Sequence, residues 1–181
     1  MTEESKDIRA VISASAKTVM CNKPGEELIR VSRGKYIKSD EAKDRLFFLQ
    51  MKYSRCIYSH ETALFLHGYI DEPDTVFVTC PQGYNVVSLK EEGAVITKVI
   101  PENYCADIID HQTAYGNTIR VYSIERTLCD MLRGKRADNP LINCAMKKYI
   151  AQKGRDLDAL CEVAERMRVG PKVRHYLDVL L

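Results

Sequence analysis

The sequence predicts an α+β protein: a small N-terminal winged-helix-like module over residues 1–38, followed by an α+β domain over 39–181 with a mainly antiparallel sheet and a C-terminal helical group. Two patterns lead there. Between residues 75 and 123 the chain runs through short segments rich in branched residues and separated by turn formers, the signature of strands. After residue 123 the apolar residues fall at helical spacing instead, as in Leu157, Leu160, Cys161, Ala164 and Met167. No internal repeat or low-complexity linker interrupts this succession, so both patterns belong to one α+β layer arrangement.

In chain order, Ile8, Val11, Ile12 and Ala16 predict a short amphipathic helix over 7–17, and Pro24-Gly25 ends any continuation. Leu28, Ile29 and Val31 lead into a hairpin that returns through Tyr36 and Ile37, with Gly34 free to take the positive φ of a tight turn. Ser39 is the expected cap of a helix through Leu46, Phe47, Leu49 and Gln50, with Asp40 and Glu41 at its positive end. A strand over 55–58 precedes Ser59, the expected cap of the next helix, which Gly68 stops. Strands follow at 76–79, 94–100, 107–112 and 118–122, the last two joined through Tyr115-Gly116-Asn117, and a short helix or turn ends near Gly93. Ser123 caps a helix through Leu132, and Pro140 opens the next at the position where its missing N–H costs nothing. Helices from Leu157 and from Val173 complete the chain. The inward positions of both periodicities are Leu64, Phe77, Val78, Ile96, Ile109, Val121, Leu128, Leu157, Leu160 and Leu177, which form the expected core.

Composition narrows the function classes. The chain has 181 residues, 45% hydrophobic and 29% charged, enough for a substantial core. No apolar run is long enough for a membrane-spanning helix and the first ten residues lack a secretory signal, so a cytoplasmic protein with no membrane partner is expected. The seven cysteines, at 21, 56, 80, 105, 129, 144 and 161, form no CxxC pair, and no histidine cluster adjoins them; reduced, mostly buried thiols and no metal or other cofactor are expected. A net charge of +2 does not imply nucleic-acid binding by itself, so such a role must come from local patches. One patch is Arg30, Arg33, Lys35 and Lys38, the candidate DNA contacts; another comprises Arg133, Lys135, Arg136, Lys147, Lys148, Lys153 and Arg155. Solvated surface is the competing reading of both.

Two constellations invite a chemical reading. In Tyr58-Ser-His-Glu-Thr-Ala-Leu-Phe-Leu-His67-Gly68, the residues Ser59, His60, Glu61 and His67 lie close on one helix. Metal-binding histidines on a helix stand four apart, which these do not, and a Ser59/His60 pair has no third partner in sight; capping and packing explain the segment better. In Tyr122-Ser-Ile-Glu-Arg-Thr-Leu-Cys-Asp130-Met-Leu132, Glu125, Arg126 and Asp130 can be imagined as an acid pair with a phosphate-binding arginine. An N-terminal cap and an Arg126–Asp130 pair four residues apart account for the same residues without catalysis. Cys129 fits a small core residue.

These segments also carry a resemblance. RGKY at 33–36, YSHETALFLHG at 58–68, PQGYN at 81–85, YSIERTLCDML at 122–132 and the ending KVRHYL at 172–177 together resemble AbiEi-type antitoxins, in order and over residues 28–181. The resemblance implies an N-terminal winged helix-turn-helix that binds operator DNA, here abbreviated to residues 1–38, and an antitoxin domain over 39–181. It implies a cognate nucleotidyltransferase-like toxin as partner and a role in abortive infection, a phage defence, with Ser59, His60, Glu61, His67, Glu125, Arg126 and Asp130 in the antitoxin motifs. The stretch before Leu28 is too short for the three helices that precede a wing, so Arg30, Arg33, Lys35 and Lys38 are expected to neutralise phosphates without reading bases. A non-catalytic antitoxin is therefore the expected function. The alternatives are a DNA-binding transcriptional regulator with no toxin partner, and a nucleic-acid-acting enzyme built on Glu125, Arg126 and Asp130.

Overall fold

The computed structural model describes residues 18–20, 27–32, 35–38, 41–133 and 140–181. The helix expected over 7–17, Pro24-Gly25, Arg33, Gly34, Ser39, Asp40, Lys135, Arg136 and Asn139 lie outside the described residues. Among those described, the chain is α+β, with one antiparallel sheet, one mixed sheet and C-terminal helices. It divides into two compact units, Met1–Cys56 with Asp110–Ile119, and Ile57–Ile109 with Arg120–Leu181.

In the first unit β1 (Thr18–Met20), β2 (Glu27–Ser32) and β3 (Lys35–Lys38) form an antiparallel sheet in the order β1-β2-β3. Alternation along β2 and β3 sorts the side chains. Ile29 faces Ile37 across the ladder, and both bury with Val31, Ala42 and Phe48 in a small core; Arg30, opposite Tyr36, belongs to the other face, as does Lys38. Phe48 comes from α1 (Arg45–Lys52), which follows a 3-10 turn at Glu41–Lys43. Asp44 caps α1: its Oδ1 accepts from the Phe47 N–H at 3.1 Å, and its Oδ2 accepts from the Asn117 amide at 3.1 Å and from the Thr113 hydroxyl. One expectation is corrected by these contacts. The cap of this helix is Asp44 and not Ser39, and the helix completes the core beneath the hairpin.

In the second unit β4 (Ile57–Tyr58), α2 (His60–Leu66), β5 (Phe77–Pro81), α3 (Val87–Glu91), β6 (Val95–Val99) and α4 (Pro101–Cys105) come first. Next is the β7 (Ile108–Gln112) and β8 (Thr118–Tyr122) hairpin, whose distal end counts with the first unit. The sheet order is β6-β5-β4-β8-β7. β4 and β5 run antiparallel, whereas β5 with β6 and β4 with β8 run parallel, each parallel pair being bridged by helical segments, as a crossover demands. β5 is buried along Phe77 to Cys80, the mark of a strand covered on both faces. Gly68 stops α2 at φ +75°, where the Tyr69 N–H donates to the Leu64 carbonyl at 2.8 Å and the Gly68 N–H to that of Phe65, a glycine C-cap as the sequence predicts.

The helices α5 (Ile124–Arg133), α6 (Pro140–Ala151), α7 (Leu157–Arg166) and α8 (Gly170–Leu180) build the main core with α2. Leu64, Leu128, Leu132, Ile142, Leu160 and Val173 meet there. Of the expected core, Phe77, Val78 and Val121 are also buried, Leu157 and Leu177 pack partly buried on the helical cluster, and Ile96 is half-buried. Ile109 departs from the expectation: it is 40% exposed, because β7 is the edge strand. The thiols are less hidden than expected, with Cys56, Cys80 and Cys129 buried but Cys105 and Cys144 exposed.

The second unit holds four weak acids in their protonated forms. Burial, and then the Asp130 carboxylate, pushes the Cys129 thiol up from 9.0 to about 12; burial, and then Glu125, pushes the Tyr69 phenol up from 10.0 to about 12. Tyr122 and Tyr149 are raised as well, again chiefly by burial. The folded chain thus keeps protons that the unfolded chain releases above about pH 9, so the unfolded state binds fewer protons and stability falls as pH rises. The contribution is fully present below the unfolded values and is lost towards pH 12. Urea midpoints are expected to fall steadily from about pH 9 upward. A midpoint unchanged between about pH 8 and pH 11 would contradict the burial of these groups.

Candidate functional site

The two segments singled out in the sequence fold together within the second unit. Residues 58–68 provide the end of β4 and α2, residues 122–132 provide the end of β8 and α5, and α2 packs on α5. The closure is polar as well as apolar. The His67 ring, at the C-terminal end of α2, donates through Nε2 to the Tyr122 carbonyl at 2.8 Å, which fixes its tautomer. Leu64 and Leu128 enter the same core from the two helices.

Ser59 stands at the N-cap position of α2, as expected, but its side chain does not cap. It is fully buried, with its Oγ 2.9 Å from Thr79 Oγ1 on β5 and 3.0 Å from His60 Nδ1. Thr79 bonds the serine and not the histidine, so it is not the third partner that a Ser59/His60 pair would need, and the Ser59 side chain is fully buried. His60 follows with φ +50°, a left-handed conformation that is uncommon outside glycine and asparagine. Glu61 is buried beside it, and Thr62 Oγ1 accepts from the Phe77 N–H at 2.7 Å, tying α2 to β5.

On α5, Ser123 accepts from the Arg126 N–H at 3.2 Å and so caps the helix as its sequence predicts. Arg126 is 0% exposed. Its Nε donates to Asp130 Oδ2 at 3.0 Å, the expected pairing four residues apart, and its Nη1 donates to the Asn103 carbonyl at 3.0 Å and reaches Asp107 Oδ2 at 3.5 Å. The guanidinium carbon sits 4.7 Å from the centre of the Tyr122 ring, whose hydroxyl donates to the Tyr104 carbonyl. Burial opposes the charge, but Asp130, with Tyr122 and Asp107 behind it, keeps the guanidinium pKa above its ordinary value. Glu125 is elsewhere on the helix, bonded through Oε1 to the Tyr149 hydroxyl at 2.9 Å. Glu125 and Asp130 thus serve different partners. Among the described residues no group of three or more His, Cys, Asp or Glu is placed to hold a metal ion.

Sequence reasoning missed Asn103, Asp107 and Tyr122 as partners of Arg126. Asn103 lies within α4 and Asp107 just after it, and the five residues of that helix are too few for periodicity to register; the one signal was Pro101 at a helix N-terminus. Asp107 also takes Arg166 of α7, so one carboxylate joins α5 to α7. In the first unit Arg30 is half-buried and Lys38 exposed, while Arg33 and the Lys35 side chain lie outside the described residues. No protein-family model matches the chain, and no curated protein matches it. No described helix is long and apolar enough to cross a membrane.

Proposed function

We propose that the chain is an AbiEi-type antitoxin, a non-catalytic cytoplasmic regulator that counteracts a nucleotidyltransferase-like toxin in an abortive-infection defence against phage. The observation that carries this reading is the assembly of its two longest motif segments, 58–68 and 122–132, into one polar and apolar interface. Their charged residues are used internally: Arg126 is held by Asp130, and Glu125 by Tyr149. This favours a rigid recognition scaffold over a reaction centre. Arg30, Tyr36 and Lys38, on the face of the hairpin away from its small core, add a surface suited to the phosphates of operator DNA.

The test is growth. The full chain, co-expressed with the product of the neighbouring gene, is expected to restore growth that the neighbour alone arrests. A neighbour that is harmless alone, or an arrest that the chain does not relieve, would leave the regulator reading in possession. If a stably folded Glu125→Gln variant lost both protection and a measurable modification of toxin or nucleic acid, the enzyme reading would replace this one.

A further inference from the structure

A cavity of about 380 Å³ opens between β6, the start of α4 and the C-terminal end of α5, with His60 on its wall. That volume is in the range of small-molecule sites and exceeds what a bare inorganic anion needs. Its lining includes the polar side chains of His60, Gln82, Lys98, Asn103, Asp130 and Arg133. Lys98 and Arg133 are exposed at its rim. The one carboxylate, Asp130, is already neutralised by Arg126 at 3.0 Å, so the cavity presents net positive charge.

Three details favour an anion there. Arg126 sits directly behind the wall, since its guanidinium bonds both Asn103 and Asp130, and its Nη2 is buried with no hydrogen-bond partner. An orphaned donor of this kind calls for an explanation. His60 is held in place on the cavity wall. Its ring is anchored through Nδ1, 3.0 Å from the buried Ser59 Oγ, which also accepts from the Thr79 hydroxyl. His60 also holds the left-handed backbone at φ +50°, and strain of this kind gathers at binding sites. Beside these groups Val99 and Ile100, the latter 45% exposed, give an apolar surface that a bare phosphate would not use.

We propose that this cavity binds a nucleoside 5′-monophosphate, the phosphate between Lys98, Arg133 and His60, the base against Val99 and Ile100 with the Gln82 amide at its polar edge. Two exposed cations suit the two charges of a phosphomonoester. The site goes beyond the antitoxin reading and does not depend on it.

Calorimetric titration of the full chain with AMP, GMP, CMP and UMP tests it, with adenosine, ribose 5-phosphate and inorganic phosphate as comparisons. At least one mononucleotide is expected to bind with Kd below about 1 mM, and the three comparisons at least about tenfold more weakly. Lys98→Glu and Arg133→Glu are each expected to raise Kd about tenfold or more, the loss of one charge-assisted hydrogen bond, while the unliganded melting temperature and the behaviour of Lys153→Glu stay as in the parent. The proposal is overturned if no mononucleotide binds, if both charge reversals leave Kd unchanged, or if inorganic phosphate or ribose 5-phosphate binds as tightly as the nucleotides.

Discussion

Arg126→Met is expected to lower the unfolding free energy by about 3 to 5 kcal/mol, the range for a buried ion pair that loses one partner. The side chain is fully buried, and its removal strands the nearly buried Asp130 carboxylate and the Asn103 carbonyl, while the Tyr122 ring loses the cation against its face. Asp107 suffers less, because Arg166 also reaches it. Methionine fills much of the arginine stem, so the loss is electrostatic rather than a cavity. The double variant Arg126→Met with Asp130→Leu separates the two causes. With both charges gone the desolvation cost goes too, and most of the lost stability is expected to return. Urea unfolding followed by far-UV circular dichroism measures both variants, with the slope unchanged and only the midpoint moving. A single variant within about 1 kcal/mol of the parent, or a double variant worse than the single, would show that the guanidinium does not organise this site.

The contrast between Arg126 as it reads in sequence and as it stands in the fold shows where legibility stops. Its pairing with Asp130 is local and follows from helical spacing, as do the Ser123 cap, the Gly68 stop and the opening of α6 at Pro140. That Arg126 and Asp130 are buried along with Leu128 was not legible, because Asn103 and Asp107 arrive from a short helix and a loop that no period marks. The same holds for Ser59, where β5 supplies Thr79 as a competitor for the hydroxyl that a cap would use. The unit boundary was hidden for a third reason. Phe48 packs α1 on the hairpin sheet and Asp44 ties it to Thr113 and Asn117, contacts distant in sequence, and residues 110–119 return to that unit from the far end of a strand pair. Two parallel pairings in the larger sheet were invisible as well, since alternation tells which way side chains point and not which strands are neighbours. The cavity combines both difficulties: His60, Lys98 and Arg133 belong to three separate elements, and only the crossovers bring them together.

The helical core supplies the second large effect, and there sequence and fold agree. Leu128 is fully buried and meets side chains from α2, α6, α7 and α8 in a single cluster that includes Leu64, Ile142, Leu160 and Val173. Truncation to alanine removes apolar contact and leaves a void whose walls come from separate helices, each anchored elsewhere: α5 by the Arg126 network, α6 by the Tyr149 hydroxyl, α7 by its Asp156 cap. Walls so fixed cannot collapse, so Leu128→Ala is expected to cost about 2 to 5 kcal/mol and to lie in the upper part of that range. Leu177→Ala, partly buried on the same cluster, is expected to cost less. Val179→Ala, on the same helix as Leu177 but 68% exposed, is expected to stay within about 0.5 kcal/mol of the parent. Urea midpoints of the three variants rank them directly, and equal losses at Leu128 and Val179 would mean that the helical cluster is not the core that holds the second unit together.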